Sequence, residues 1–209
     1  LTGGIQVAAT EERWESIRYE QARHKVFGID SHLIGPEEIK KLCPIMETKG
    51  VIGGLFDANE GNIDPYGSTH AFAKAARQAG AEIYLNTKVE DLIHKPDGAW
   101  TVVTDKGNID CEHIVNAAGL WAREVGAMAG VHVPIVPMEN HYLLTGDIDI
   151  VADFASELPM VLDLDGEMYL RQERNGVLLG VYEQNSTPWS VDGTSWDYGE
   201  TDLLEPRLD

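Results

Sequence analysis

The sequence predicts a mixed α/β fold in which a helix-flanked α/β sheet is interleaved with a second, mainly antiparallel sheet. Three observations carry this expectation. Residues 64–130 read as a helix, four strands and a helix; the stretch after Pro134 and Pro137 reads as strands without helices; residues 1–60 mix short strands with surface helices. The expected division follows those changes of pattern, at 1–60, 61–130 and 131–209.

Each element has its own signal. Residues 3–9 alternate weakly, as a short strand does. Over 11–25, Trp14, Ile17, Ala22 and Val26 recur at helical spacing within a charged sequence, which predicts an amphipathic surface helix. Gly35-Pro36-Glu37-Glu38 opens a second helix, with Pro36 in its first turn and Pro44 beyond its end. Val51–Phe56 reads as a strand. Asp64-Pro65 joins an N-cap carboxylate to a proline at the first helical position, and Phe72, Ala75, Ala76 and Ala79 then mark a stripe expected to be buried, closed by Gly80. Strands are expected at Glu82–Leu85, Lys88–His94, Trp100–Thr104 and His113–Ala117, with turns at Pro96-Asp97-Gly98 and Lys106-Gly107. A small-residue helix should span Trp121–Ala129 and stop at Gly130. The best later strands are Glu139–Thr145, Glu167–Arg171 and Val177–Tyr182, and Asn175-Gly176 reads as the two-residue turn joining the last two.

Composition narrows the function classes. The chain has 209 residues, with 43% hydrophobic and 24% charged, which suits a globular protein. Its 35 acidic and 16 basic residues leave a formal charge of -19, so the surface should repel nucleic acid and anionic membranes. Any pocket for a carboxylate must then rely on local Arg, His or Tyr. No segment has the length and apolarity of a membrane span, and none reads as a signal peptide. Cys43 and Cys111 lack metal-ligand spacing and read as two buried thiols in a reducing compartment. Asp163, Asp165 and Glu167 alternate but lack the spacing of a calcium loop, and read as an exposed acidic turn. The scattered histidines 24, 32, 70, 94, 113 and 132 form no metal-ligand pattern. Leu1 opens directly into a strand and Leu203–Asp209 stops where a helix would begin, so both ends read as cut from a longer chain.

The most telling stretch is Ile114-Val115-Asn116-Ala117-Ala118-Gly119-Leu120-Trp121, where a strand ends in small residues and a helix begins at once. Small residues let backbone come close to a ligand, and a tight strand-to-helix turn packed by alanines would look the same. No GxGxxG spacing follows a strand. With Asn86-Thr87-Lys88-Val89 and Asp64-Pro65, this stretch resembles the glycine-oxidase-like (D-amino-acid oxidase) class of FAD enzymes. The segments Asn116–Gly126, Pro137–Thr145 and Met168–Gly176, with Tyr182-Glu183, Pro188-Trp189 and Trp196–Gly199, resemble its dimethylglycine and sarcosine dehydrogenase branch, across essentially the whole chain.

That resemblance implies a Rossmann-like FAD-binding sheet in 61–130, with a substrate-binding sheet drawn from 1–60 and 131–209. It implies that Ala117, Ala118, Gly119 and Trp121 lie beside the FAD pyrophosphate and that the Val89 backbone meets the adenine. The dinucleotide fingerprint, and the histidine that holds flavin covalently in some members, would precede residue 1. A further flavin segment and a tetrahydrofolate-binding half would follow residue 209, so this stretch alone would not retain FAD tightly. The activity implied is oxidation of a small N-methylated amine or amino acid, with electron-transfer flavoprotein or oxygen as acceptor, in the bacterial cytoplasm or the mitochondrial matrix.

The family's active-site tyrosine falls on Tyr169. On the expected turn, Tyr169 would sit opposite Tyr182 on one face of the hairpin, either as an aromatic wall for an amine or as a cross-strand core pair. The family's histidine falls on Asn140, with His141 one residue later and Tyr142 next. A one-residue shift turns a strand side chain to the opposite face, so His141 would need a bulge to take over that role. Arg171 shares the face of Tyr169 and could meet a substrate carboxylate or a neighbouring acid. Two other readings stand beside the enzyme: a non-catalytic regulator like the regulatory subunit of pyruvate dehydrogenase phosphatase, and a generic FAD amino-acid oxidase.

Overall fold

The computed structural model describes residues 1–198; Gly199 and the helix start expected near Leu203 lie outside the described residues. In chain order the elements are β1 (Gly4–Ala8), α1 (Glu11–Phe27), β2 (Ser31–Ile34), α2 (Pro36–Leu42), β3 (Gly53–Asp57), α3 (Pro65–Gln78), β4 (Val89–His94), β5 (Trp100–Thr104), β6 (Gly107–Cys111), a 3₁₀ turn at Gly119–Trp121, α4 (Ala122–Met128), β7 (Tyr142–Leu144), α5 (Asp149–Ala152), β8 (Met160–Asp163), β9 (Met168–Glu173) and β10 (Gly176–Val181). They form two compact units, one of residues 1–65 and 140–186, the other of 66–139 and the described residues from 187 onward. The first holds a seven-stranded mixed sheet, the second a three-stranded antiparallel sheet.

In the first unit the strand order is β2-β3-β1-β8-β9-β10-β7, and β1 with β8 is the parallel pair. One row of directly opposed residues runs Gln6, Leu162, Tyr169, Gly180, Tyr142 across five strands. Opposed residues share a face, so the neighbouring row, Ile5, Val161, Leu170, Leu179, Leu143, points the other way. That second face is the core. Ile5, Val7 and Val161 pack there with Ile39 of α2 and Cys43, and Val177 packs with Val151 of α5 and Leu158. On the first face, Ile17 and Trp14 of α1 cover Ala8 and Leu55.

Helix α1 is pinned at its start. Thr10 caps it through Oγ1 to the Arg13 N–H (3.2 Å), and Gly28 ends it in the left-handed conformation. Asp165, in the turn after β8, accepts from the Ala9 N–H (3.1 Å), the Thr10 hydroxyl (3.2 Å) and Arg13 Nε (3.2 Å). The expected exposed acidic turn is therefore corrected at Asp165, whose side chain is only 18% exposed. The stripe on α1 is corrected too. Val26 is exposed, and Gln21 takes the inner position because its Nε2 satisfies the Ser31 carbonyl.

In the second unit β4, β5 and β6 follow one another as a meander. Beside them lies a cavity of about 300 Å³ lined by Leu92, Trp100, Ile114, Val125, Val131 and Val133. Three expectations fail in this region. Glu82–Leu85 and His113–Ala117 are not strands, because no strand among the described residues lies alongside to complete a ladder. The third ladder member is instead Gly107–Cys111, reached through a turn in which Gly107 takes φ +130. The α3 stripe is not buried: Phe72 is 78% exposed, and no residue of α3 is fully buried. Cys43 is buried and Cys111 half-buried, both as free thiols.

Burial works to raise the Asp165 carboxyl, but the Ala9 N–H, Arg13 and the Thr10 hydroxyl outweigh it and hold the group below the ordinary carboxylate range. Its contribution to stability is thus complete above that range and is lost as pH falls through the depressed value. Asp165→Asn is expected to lower stability by about 2 kcal/mol at neutral pH. Denaturant titrations of the intact protein should show the gap to wild type closing as pH falls well below about 4.

Candidate functional site

The hairpin β9–β10 sets the geometry of the tyrosine face. Glu173 pairs with Gly176, so the turn residues are Arg174 and Asn175, with Arg174 at φ +55. This corrects the expected Asn175-Gly176 turn. Tyr169 consequently lies opposite Gly180, and Tyr182 is displaced by two residues from the partner expected for it. A slip of two keeps every side chain on its own face, whereas a slip of one would have inverted them. Tyr169 and Tyr182 therefore still meet, with ring centroids 5.6 Å apart and planes inclined by 46°.

Gly180 is what makes room. Its neighbours in the row are Tyr169 on one side and Tyr142 on the other. A Cβ built on Gly180 would land within the Tyr169 ring, against Cε1 and Cζ, so the ring lies flat across the bare glycine backbone. Tyr142, 58% exposed, and Tyr182, 52% exposed, flank this arrangement and leave the face open to solvent. The signal for Gly180 was present in the sequence as a glycine inside a strand pattern, but its meaning depends on the register.

The remaining residues divide. Arg171 lies on the tyrosine face, where its Nη1 donates to Glu173 Oε2 (2.7 Å). Its Nη2 and Nε make no hydrogen bond among the described residues. His141 just precedes β7, and its Nδ1 lies 3.2 Å from Glu183 Oε1, forming an imidazole–carboxylate pair that sequence reasoning did not anticipate. Asn140 is exposed in the approach to the same strand.

The cofactor candidates belong to the second unit. Asn116 Oδ1 accepts from the Ala118 N–H (3.2 Å) and its Nδ2 donates to the Ala122 carbonyl (2.8 Å), so one side chain braces the whole turn from within. Ala117 is exposed, Ala118 half-buried, and Gly119 takes φ +54 with open space where a Cβ would stand. The turn presents bare backbone and methyl groups, as close approach of a diphosphate requires, and in that respect the residues fit the phosphate region of FAD. Val89 begins the edge strand β4, opposite Thr104. Trp121 is engaged elsewhere: Nε1 donates to the Ser195 carbonyl (2.9 Å), and its ring lies nearly parallel to Trp196.

The family described as FAD dependent oxidoreductase matches residues 1–208. The chain is 38% identical to the mitochondrial dimethylglycine dehydrogenase of Rattus norvegicus, over 99% of this chain and 25% of that protein. It is 33% identical to the mitochondrial pyruvate dehydrogenase phosphatase regulatory subunit of Mus musculus, over 92% of this chain and 22% of that protein. Among solved structures, the L-proline dehydrogenase of P. horikoshii superposes with a TM-score of 0.77 at 29% identity, over 88% of this chain and 50% of that one. The chain thus spans about a quarter of the length of the curated relatives it matches.

The ring-over-glycine contact predicts a coupled pair. Gly180→Ala should cost about 1–2 kcal/mol by pushing the Tyr169 ring aside, and much less when Tyr169 is first replaced by Leu. A double-mutant cycle read by denaturant unfolding of the intact protein measures that coupling.

Proposed function

Because this chain belongs to the FAD-dependent oxidoreductase family, we propose that it supplies the substrate face and part of the cofactor cradle of an enzyme that oxidises a small N-methylated amine or amino acid. The observation that carries this reading is the face built by Tyr142, Tyr169 and Tyr182 around Gly180. Bound FAD would supply the hydride acceptor for the carbon attached to the substrate nitrogen. The chain's own residues prepare the substrate for that transfer. An amine gives up hydride from its neutral form, and aromatic walls that strip water from it favour neutrality. The Tyr169 hydroxyl, carried on a ring held flat over Gly180, is placed to receive a hydrogen bond from the amine or to donate one to its lone pair.

Recognition of a substrate carboxylate falls to Arg171. Glu173 occupies one terminal nitrogen, which leaves the guanidinium a second donor edge and fixes the plane in which it is offered. His141 and Asn140 flank the face, His141 oriented by Glu183, so Asn140 supplies an uncharged amide where the family carries histidine. In the second unit, Ala117, Ala118 and Gly119 would accept the cofactor's diphosphate, and Val89 its adenine. The electron acceptor is proposed to be an electron-transfer flavoprotein or oxygen.

A second reading, a regulatory role without catalysis, is favoured by Asn140 at the histidine position and by the similarity to a regulatory subunit. One experiment separates the two. The flavin spectrum of the full-length protein should bleach anaerobically when dimethylglycine, sarcosine or a related N-methylamine is added. Tyr169→Phe keeps the ring and removes the hydroxyl, and is expected to lower kcat/KM by about tenfold or more. Bound flavin that no amine reduces would overturn the amine reading, and absence of flavin would favour the regulator.

A further inference from the structure

Residues 187–198 form no helix or strand beyond the single bridge of Pro188 to Met138, yet they are tied to three residues, Trp121, Arg123 and Glu124, around the start of α4. Arg123 donates Nη2 to the Ser190 carbonyl (2.8 Å) and Nη1 to the Val191 carbonyl (3.0 Å). Glu124 Oε1 accepts the Thr194 N–H (2.8 Å) and also pairs with Arg123 Nη2 (3.1 Å). Trp121 donates to the Ser195 carbonyl, and its ring runs within 11° of parallel to Trp196 at 6.5 Å. Lys88 Nζ sits over the Trp196 ring, 5.5 Å from its centroid. The loop is curled to make these contacts: Ser190 takes φ +52, Gly193 takes φ +131, and the Ser190 hydroxyl closes onto the Gly193 carbonyl (2.6 Å).

The anchors are adjacent to the Asn116–Gly119 turn, and the Asn116 side chain bonds to Ala122 between Trp121 and Arg123. The same joint carries a cost. Glu124 Oε2 and Thr194 Oγ1 are buried with no hydrogen-bond partner among the described residues, and an unsatisfied buried polar atom disfavours the closed form. Burial also works to raise the Glu124 carboxyl, while the Thr194 N–H, its own N–H and Arg123 outweigh it and keep the group below the ordinary carboxylate range. Good contacts and a built-in penalty together describe a closure of modest net stability.

We infer that residues 187–198 form a clasp whose docking on Trp121, Arg123 and Glu124 positions the Asn116–Gly119 turn for the cofactor, so that clasp closure and cofactor binding stabilise one another. Trp121, Arg123 and Glu124 are then positioning residues, and Trp121 acts through the clasp instead of lying against the diphosphate. The inference rests on the reading that this turn receives the diphosphate of FAD. The coupling is reciprocal by thermodynamic necessity: whatever FAD adds to clasp closure, the closed clasp adds to FAD affinity.

The test uses the full-length protein, stripped of flavin and reconstituted, with two readouts: the FAD dissociation constant and the rate of limited proteolysis within 187–198, followed by mass spectrometry. Saturating FAD is expected to slow cleavage there by about tenfold. Arg123→Ala and Glu124→Ala are each expected to speed cleavage and to weaken FAD by about tenfold. Glu124→Gln keeps an acceptor for the Thr194 N–H and should recover most of both. Thr194→Ala keeps the main-chain anchor and removes the unpartnered hydroxyl, so it should cleave more slowly than wild type. Trp196→Leu alters the clasp without touching α4, and should reproduce the loss even if the Arg123 and Glu124 variants fold poorly. FAD retained while cleavage ignores it, or affinity unchanged in Trp196→Leu, overturns the clasp alone. Wild-type protein that binds no FAD overturns the cofactor reading and the clasp with it.

Discussion

The parallel pairing of β1 with β8 is the constraint on which the first unit is built. Parallel neighbours cannot be joined by a tight turn, and here the chain between them passes through α1, β2, α2, β3, the whole run from α3 to α4, β7 and α5. Closing so long a connection costs entropy that a four-residue ladder repays poorly alone. Asp165 adds the missing local grip. It follows β8 directly and takes hydrogen bonds from Ala9, Thr10 and Arg13, which follow β1 directly, so the two strands are locked end to end where they leave the sheet. From that lock the rest is propagated by pairing: β9 on β8, β10 on β9, β7 on β10. The tyrosines are thus held in place, through that pairing, by a bond to a helix that packs on their own face of the sheet.

Cations do much of this fastening in a chain that has few of them. With 16 basic residues against 35 acidic, Arg13, Arg123 and Arg171 each engage a partly buried carboxylate at a joint of the structure. Two of the three also bond to backbone carbonyls, which a lysine could do only one at a time. The acidic surplus stays on the surface and sets the long-range field. The arginines set local geometry.

Much of the fold was legible in the sequence because its punctuation is strong. Pro36 and Pro44 bracket α2, and Pro65 opens α3, each for a backbone reason that tertiary structure does not alter. Elements whose existence depends on a neighbour were harder. β2 and β8 are four residues each and carry no alternation of their own, while Glu82–Leu85 and His113–Ala117 have strand composition without a ladder to join. The tyrosine face was legible through an error of even size, since a two-residue slip of the hairpin preserves which side chains share a face. His141 with Glu183, and the anchoring of 187–198, were not legible, because neither pairing leaves a periodic trace between partners 42 or about 70 residues apart.

The bare backbone at Gly180 has a consequence for how relatives of this chain can diverge. A position that must carry no side chain, opposite one that must carry a ring, is a joint constraint: either residue is free to change only if the other changes first. Along any lineage the pair should therefore move together or stay put, and a homologue with a side chain at this strand position must aim its tyrosine elsewhere. Glycine at 180 is thus a marker for where the ring lies, readable from a bare sequence in chains whose structures have never been determined.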